Sequence, residues 1–266
     1  MGIAMYRGDF HAELDSPIIK LFDASKVKNL DDRKRRITLR DLLTMRSGLD
    51  WDEDLPYNDP HNGSSAMEAT DDWIQFVIDR SMTHEPGTFF AYSSGVAELL
   101  SFVFQKATGQ DIEAYATEHL FKSLGFEHQY WKRTPLGVVD TEGGLYLRSE
   151  DLAKIGYLYL HEGMWNGQRV LSADWIKQSI TPSTDARGGM KYGFLWWLVP
   201  HGESGSLAWA ALGLGGQRLL VVPEGQLLLV FTAWDILETK PLNARDLIDR
   251  VTSSMHPYEC GSPSKR

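Results

Sequence analysis

The chain has 266 residues, 42% of them hydrophobic, and a formal net charge of −9 at pH 7. That is enough apolar material for one large domain with a real core, while the acidic balance argues against a phosphate-binding surface and so against a nucleic-acid partner. The one cysteine, Cys260, lies in a polar tail, the eight histidines show no metal-ligand spacing, and no apolar run approaches a membrane span. No disulfide, metal or other cofactor is expected. Residues 1–11 are too short and polar for a signal peptide, so the chain reads as soluble, with its compartment left open.

In chain order, Gly2-Ile3-Ala4-Met5-Tyr6-Arg7-Gly8 reads as the last turns of a helix running into a glycine turn, with no start signal before it. Ser25-Lys26-Val27-Lys28 has a Ser-x-x-Lys spacing. In that arrangement a serine at a helix start and a lysine one turn on share a face, and the lysine can take the serine proton. Here Asp23, Asn29, Asp31 and Asp32 surround it with solvated charge, which leaves no apolar face and no desolvated lysine. The run Arg33-Lys34-Arg35-Arg36 reads as a solvated loop. Thr38 caps a short helix packed by Leu39, Leu42 and Leu43 and ended by Gly48. Residues 51–69 form an acidic, Pro- and Gly-rich loop expected to cover the site, and a helix over 71–80 follows.

Pro86-Gly87 marks a turn, and Thr88-Phe89-Phe90-Ala91-Tyr92 after it is too apolar for a surface loop. Val96, Leu99, Leu100 and Val103 form the buried stripe of a helix, with Ser93 or Ser94 as its cap and Gly109 as its stop. Asp111 opens a second helix, with Ile112, Tyr115 and Leu120 inward and Gly125 closing it. Tyr92 thus sits on a rigid turn at the mouth of a packed helix. Further helices are expected over 149–159, 172–180 and 243–255, and strands over 192–199, 206–212, 217–222 and 226–234.

The string Pro86-Gly87-Thr88-x-Phe90-x-Tyr92-Ser93-Ser94-Gly95 resembles the second active-site motif of the serine β-lactamase, penicillin-binding-protein and esterase superfamily. Ala107-Thr108-Gly109-Gln110 and Leu120-Phe121-Lys122-Ser123-Leu124-Gly125-Phe126 extend the likeness, toward the branch of esterases and 6-aminohexanoate-oligomer hydrolases. It spans about residues 1–233. The resemblance implies an α+β, β-lactamase/transpeptidase-like domain over 1–256, with an antiparallel sheet flanked by helices, a helical subdomain about 38–130 and a polar tail at 257–266. It implies acyl transfer to serine, then hydrolysis of a small carboxylic ester or amide. Tyr92 would act with a lysine as general base, and Ser94 would fill the third position of the motif.

The resemblance also bears on what stands apart from Tyr92. The family carries Ser-x-x-Lys on the helix that here ends at Gly8, so the pair is expected upstream of Met1 and the chain is expected to be inactive as given. The alternative is a non-catalytic homologue that binds a ligand or protein partner through the same cleft. Gly213, Gly215 and Gly216 border the strand of the third motif, which gives one oxyanion-hole N–H, and which N–H does so stays open. The Lys-Thr-Gly form of that motif is absent, which argues against a penicillin-type target. Trp196, Trp197 and Trp209 flank these strands as candidate walls of an acyl pocket. Without the family's two N-terminal strands, 226–234 is expected to be an open apolar edge through which a homo-oligomer pairs.

Overall fold

The computed structural model describes residues 1–234 and 243–255; the polar tail at 257–266, with Cys260, lies outside the described residues. Helix α1 (Gly2–Arg7) ends as its glycine signal predicts, at Gly8 with φ 79°. Helix α2 (Leu39–Leu43) starts in a full capping box between Thr38 and Asp41. It stops at Thr44, four residues before Gly48. Within the stretch expected to be irregular, Asn62 caps helix α3 (Gly63–Glu68), and Asp72 then caps α4 (Trp73–Ile78). Helix α5 (Ser94–Thr108) is capped by the Ser93 side chain, which accepts the Val96 N–H, and it ends on left-handed Gly109. Asp111 caps α6 (Ile112–Ala116), and a wider π-turn over Thr117–Phe121 carries the chain on to Gly125.

The ribbon β1 (Gln129–Trp131) and β2 (Leu145–Leu147) leads into α7 (Ser149–Leu160), and a second short ribbon, β3 (Met164–Trp165) and β4 (Gln168–Arg169), leads into α8 (Ala173–Ser179). Neither ribbon is legible in the sequence, because strands this short carry no periodicity. The main sheet contains β5 (Thr184–Asp185), β6 (Lys191–Tyr192), β7 (Trp197–His201), β8 (Ser206–Gly213), β9 (Gln217–Val222) and β10 (Leu227–Phe231). Its order is β10-β9-β8-β7-β6-β5, antiparallel throughout, so the fold is mixed α+β as expected. Helix α9 (Ala244–Ser254) packs on β7 and β9.

The strand expected over 192–199 is broken. A side chain at Gly193 would run into the Ser179 carbonyl, and Leu195 turns at φ 59° to donate its N–H to Leu43 O at 2.9 Å. This kink ties the sheet to α2. Beyond it, the two-residue period assigns opposite faces. Trp197, Val199, Ala208, Ala210, Leu220 and Val222 join the main core with Leu99 and Val103 of α5. Leu198, Leu219 and Val221 form a second cluster against Leu152, Ile155 and Tyr159 of α7.

One expectation about charge is corrected. Within the basic run Arg33–Arg36, Lys34 is wholly buried. Its ammonium donates to Lys28 O at 2.8 Å and Ile78 O at 2.9 Å, so it caps the end of α4 instead of reaching solvent.

Candidate active site

The turn after Pro86 delivers two aromatic rings, Phe90 and Tyr92, onto one spot of the sheet. Phe90 packs between Tyr192, with ring centroids 5.1 Å apart, and Trp197 at 5.9 Å. Two residues on, Tyr92 stacks on Trp197 at 5.4 Å with planes 30° apart. The Arg187 guanidinium lies over both rings, 5.7 Å from Tyr92 and 5.3 Å from Trp197, a cation–π geometry. Arg187 also donates to Asp54 Oδ1 at 2.7 Å, which joins the two lips of the cleft. The cleft has a volume of about 580 Å3, and Trp51, Glu53, Asp54, Phe90, Tyr92 and Arg187 are among its walls.

Behind Tyr92, one carboxylate organises the start of α5. Glu53 accepts the Ser94 N–H at 2.8 Å, the Ser94 hydroxyl at 2.7 Å and the Trp51 indole N–H at 2.8 Å. These charge-assisted bonds hold a negative group at a helix N-terminus, where the macrodipole favours it. Trp51 is in turn clamped between two glycines. A Cβ at Gly95 would sit 2.5 Å from its ring and one at Gly63 2.6 Å. The glycine of the Tyr-Ser-Ser-Gly string is thus needed for packing. Gly95→Ala is expected to lower stability by about 1–3 kcal/mol, as overpacking does, and to displace Trp51; an unchanged melting temperature would show that the indole has room.

Burial, and then the charge of Glu53, push the Tyr92 phenol up to about 12, with Arg187 pulling partly against them. Tyr92 is therefore a neutral hydrogen-bond donor at ordinary pH. Glu142 lies beside the same group, and its carboxyl is raised to about 8, first by burial and then by its hydrogen bond to Glu68. Glu98, one turn into α5, is fully buried and also raised to about 8, chiefly by burial.

Of the residues expected from sequence, Tyr92, Ser94 and Trp197 come together here, although Ser94 is only 8% exposed and is turned toward Glu53. Of the three expected tryptophans none is among the residues that line this cleft, and Trp196 and Trp209 do not join Tyr92 and Ser94. Both pack in the second cluster, against α7, because the strand period sends them to the opposite face of the sheet from Trp197. The Gly213–Gly216 turn follows the C-terminal end of β8, three residues beyond the Ala210 that pairs with Trp197, with Gly216 next to Ala233, and is not among the residues that line the cleft. Ser25 donates its hydroxyl to Asp23 at 2.7 Å, and Lys28 pairs with Asp79 at 3.6 Å in a separate open pocket. That string is remote from Tyr92. Sequence reasoning missed Trp51, Glu53, Glu142 and Arg187. No local signal marks them, since the Glu53–Ser94 bond spans 41 residues and Asp54–Arg187 spans 133.

The antiparallel sheet with its flanking helices is a β-lactamase/transpeptidase-like fold. The Beta-lactamase family model matches residues 9–235, and the chain belongs to that family. It is similar to the 6-aminohexanoate-dimer hydrolase of Paenarthrobacter ureafaciens, 24% identical over 226 residues, which are 75% of this chain and 55% of that protein. Its fold matches that of a Bacillus anthracis protein provisionally assigned as a 6-aminohexanoate-dimer hydrolase, with TM-score 0.74 and 21% identity over 96% of this chain and 67% of the other. A family VIII carboxylesterase matches with TM-score 0.69 and 13% identity, covering 92% and 76% of the two chains. The chain spans about half the length, or less, of the first curated relatives it matches. No helix among the described residues is long and apolar enough to cross a membrane.

Proposed function

We propose that this cleft is the tyrosine side of an acyl-transfer site acting on a carboxylic ester or amide through a serine-bound acyl intermediate. The observation that carries the reading is Tyr92, held at the start of α5 and stacked on Trp197 at the wall of a cleft about 580 Å3 in volume. Similarity to an amide-bond hydrolase and an esterase supports the same substrate class. In this reading Tyr92 relays the proton between the serine, the lysine and the leaving group, Ser94 holds the motif, and the Gly213, Gly215 and Gly216 turn serves the oxyanion side.

Tyr92 as it stands is a phenol, not a base. To take a proton it needs an ammonium nearer than Arg187, whose charge is shared with Asp54. Residues 1–266 alone are therefore expected to hydrolyse p-nitrophenyl butyrate no faster than their Tyr92→Phe variant. An acyl burst, or fluorophosphonate labelling of Ser25, would reject this. The function itself is tested by joining a relative's Ser-x-x-Lys helix to α1, which should produce esterase turnover. A folded chimera without turnover favours a binding protein.

The same reading extends to assembly. Among the described residues β10 pairs only with β9, leaving Leu227–Phe231 as an apolar, half-buried edge. We propose that a second copy pairs along it, because such an edge offers unpaired N–H and C=O groups with no charge to blunt it. Sedimentation should show a dimer that Leu229→Lys returns to a folded monomer; a monodisperse wild-type monomer would refute the pairing.

A further inference from the structure

Two aromatic rings beside a carboxylate make an arrangement that recognises organic cations, and in this cleft it is filled from within. The Arg187 guanidinium lies 5.7 Å from the Tyr92 centroid and 5.3 Å from that of Trp197, and it donates to Asp54 Oδ1 at 2.7 Å. The charges around it favour a cation over an anion. Asp52, Glu53, Asp54 and Asp185 line the cleft, and Arg187 is the one cation among the described residues that does. Asp185 pairs with Lys191 at 2.7 Å, yet with Lys191 included the carboxylates still outnumber the cations four to two. Phe89 and Phe90 add apolar wall for an alkyl chain.

The resident cation is loosely held. The Arg187 and Asp54 side chains are 56% and 83% exposed, and an ion pair that open to water contributes little. Arg187 stands at the tip of the β5–β6 hairpin, followed by Gly188 and Gly189 at φ 67° and 75°, so the tip can turn the side chain out to solvent with little strain. We propose that Arg187 is a specificity-determining residue: its guanidinium fills the seat over Tyr92 and Trp197 that an alkylammonium group of the substrate takes from it, with Asp54 as the counter-charge. The inference deepens the acyl-transfer reading and rests on it. Substrate binding exchanges one cation for another, so esters or amides that carry an amino group are preferred over those that carry a carboxylate.

Residues 1–266 as they stand should bind n-butylammonium, and neither n-butanol nor butyrate, in ligand-observed NMR at low ionic strength. Arg187→Ala should tighten n-butylammonium about tenfold, because a seat that is mostly filled lowers the apparent affinity by the fraction left open. Asp54→Asn in the Arg187→Ala background should reverse that gain. Lys191→Ala removes a charge from the same hairpin without opening the seat and should change little. Equal tightening in Lys191→Ala would reduce the effect to net charge and overturn the proposal. Butyrate binding that Arg187→Ala abolishes would make Arg187 an anion clamp and overturn it too. Binding confined to Arg187→Ala would make the arginine a fixed wall and overturn the exchange, and no binding in Arg187→Ala would leave no seat. Because no turnover is read, a folded but silent Ser-x-x-Lys chimera counts against the hydrolase reading, and the two failures are told apart.

Discussion

Tyr92→Phe should lower esterase turnover at least about a hundredfold in a chain supplied with a Ser-x-x-Lys helix, the range general acid–base groups contribute. The substitution removes one oxygen and leaves the stack on Trp197 at 5.4 Å, so the cleft wall stays. KM should hold while kcat falls, since the phenol contributes in the transition state and the rings contribute to binding. Ser94→Ala should cost less, because the hydroxyl faces Glu53 and the backbone N–H of residue 94 still bonds that carboxylate. A Tyr92→Phe chimera within a few-fold of its parent would assign the proton transfer to another group.

Thermal stability should fall between about pH 5 and pH 8, and Glu98→Gln should remove much of that fall. The carboxyl of Glu98 titrates near its ordinary 4.5 in the unfolded chain but at about 8 when folded. The folded state therefore holds the proton more tightly. Its contribution is fully present below about 4.5 and is lost as pH rises through 8. Within that window each such group can cost up to about 1.4 kcal/mol per pH unit. Glu142 adds in the same direction. Carboxylates held low, such as Asp15 beside Arg40 and Asp111 beside Arg133, act oppositely and only in more acid solution, so the two effects separate. Glutamine keeps an acceptor for the Thr141 N–H while removing the charge, so melting curves from pH 5 to 9 should converge at low pH. Parallel curves for the variant and wild type would exclude Glu98 as a source of the slope.

These groups also show where sequence reasoning reaches its limit. Helix α5 was legible in its stripe and its Gly109 stop, which are local, while the structure decided for Ser93 over Ser94 as its cap. Tyr92 was legible as a candidate because it sits in a compact motif on that helix. Glu53 was not, since nothing in the acidic stretch after Trp51 distinguishes it from Asp52 or Asp54, and only folding brings it against Ser94. Lys34 looked solvated for the same reason, as its acceptor Ile78 O lies 44 residues away. Trp196, Trp197 and Trp209 could not be sorted by composition. The kink at Gly193–Leu195 sets the phase of the strand, and a shift by one residue exchanges faces.

By itself, then, the sequence determined the helices other than α3, the strands of the sheet from β7 onward and the Tyr92 motif, since each depends on neighbours within a few residues. Only the tertiary structure decided that Trp197 is the tryptophan stacked against Tyr92, that Arg187 spans the cleft to Asp54, and that Glu53 holds Ser94. Those contacts join segments 40 or more residues apart, which meet only once the chain has packed.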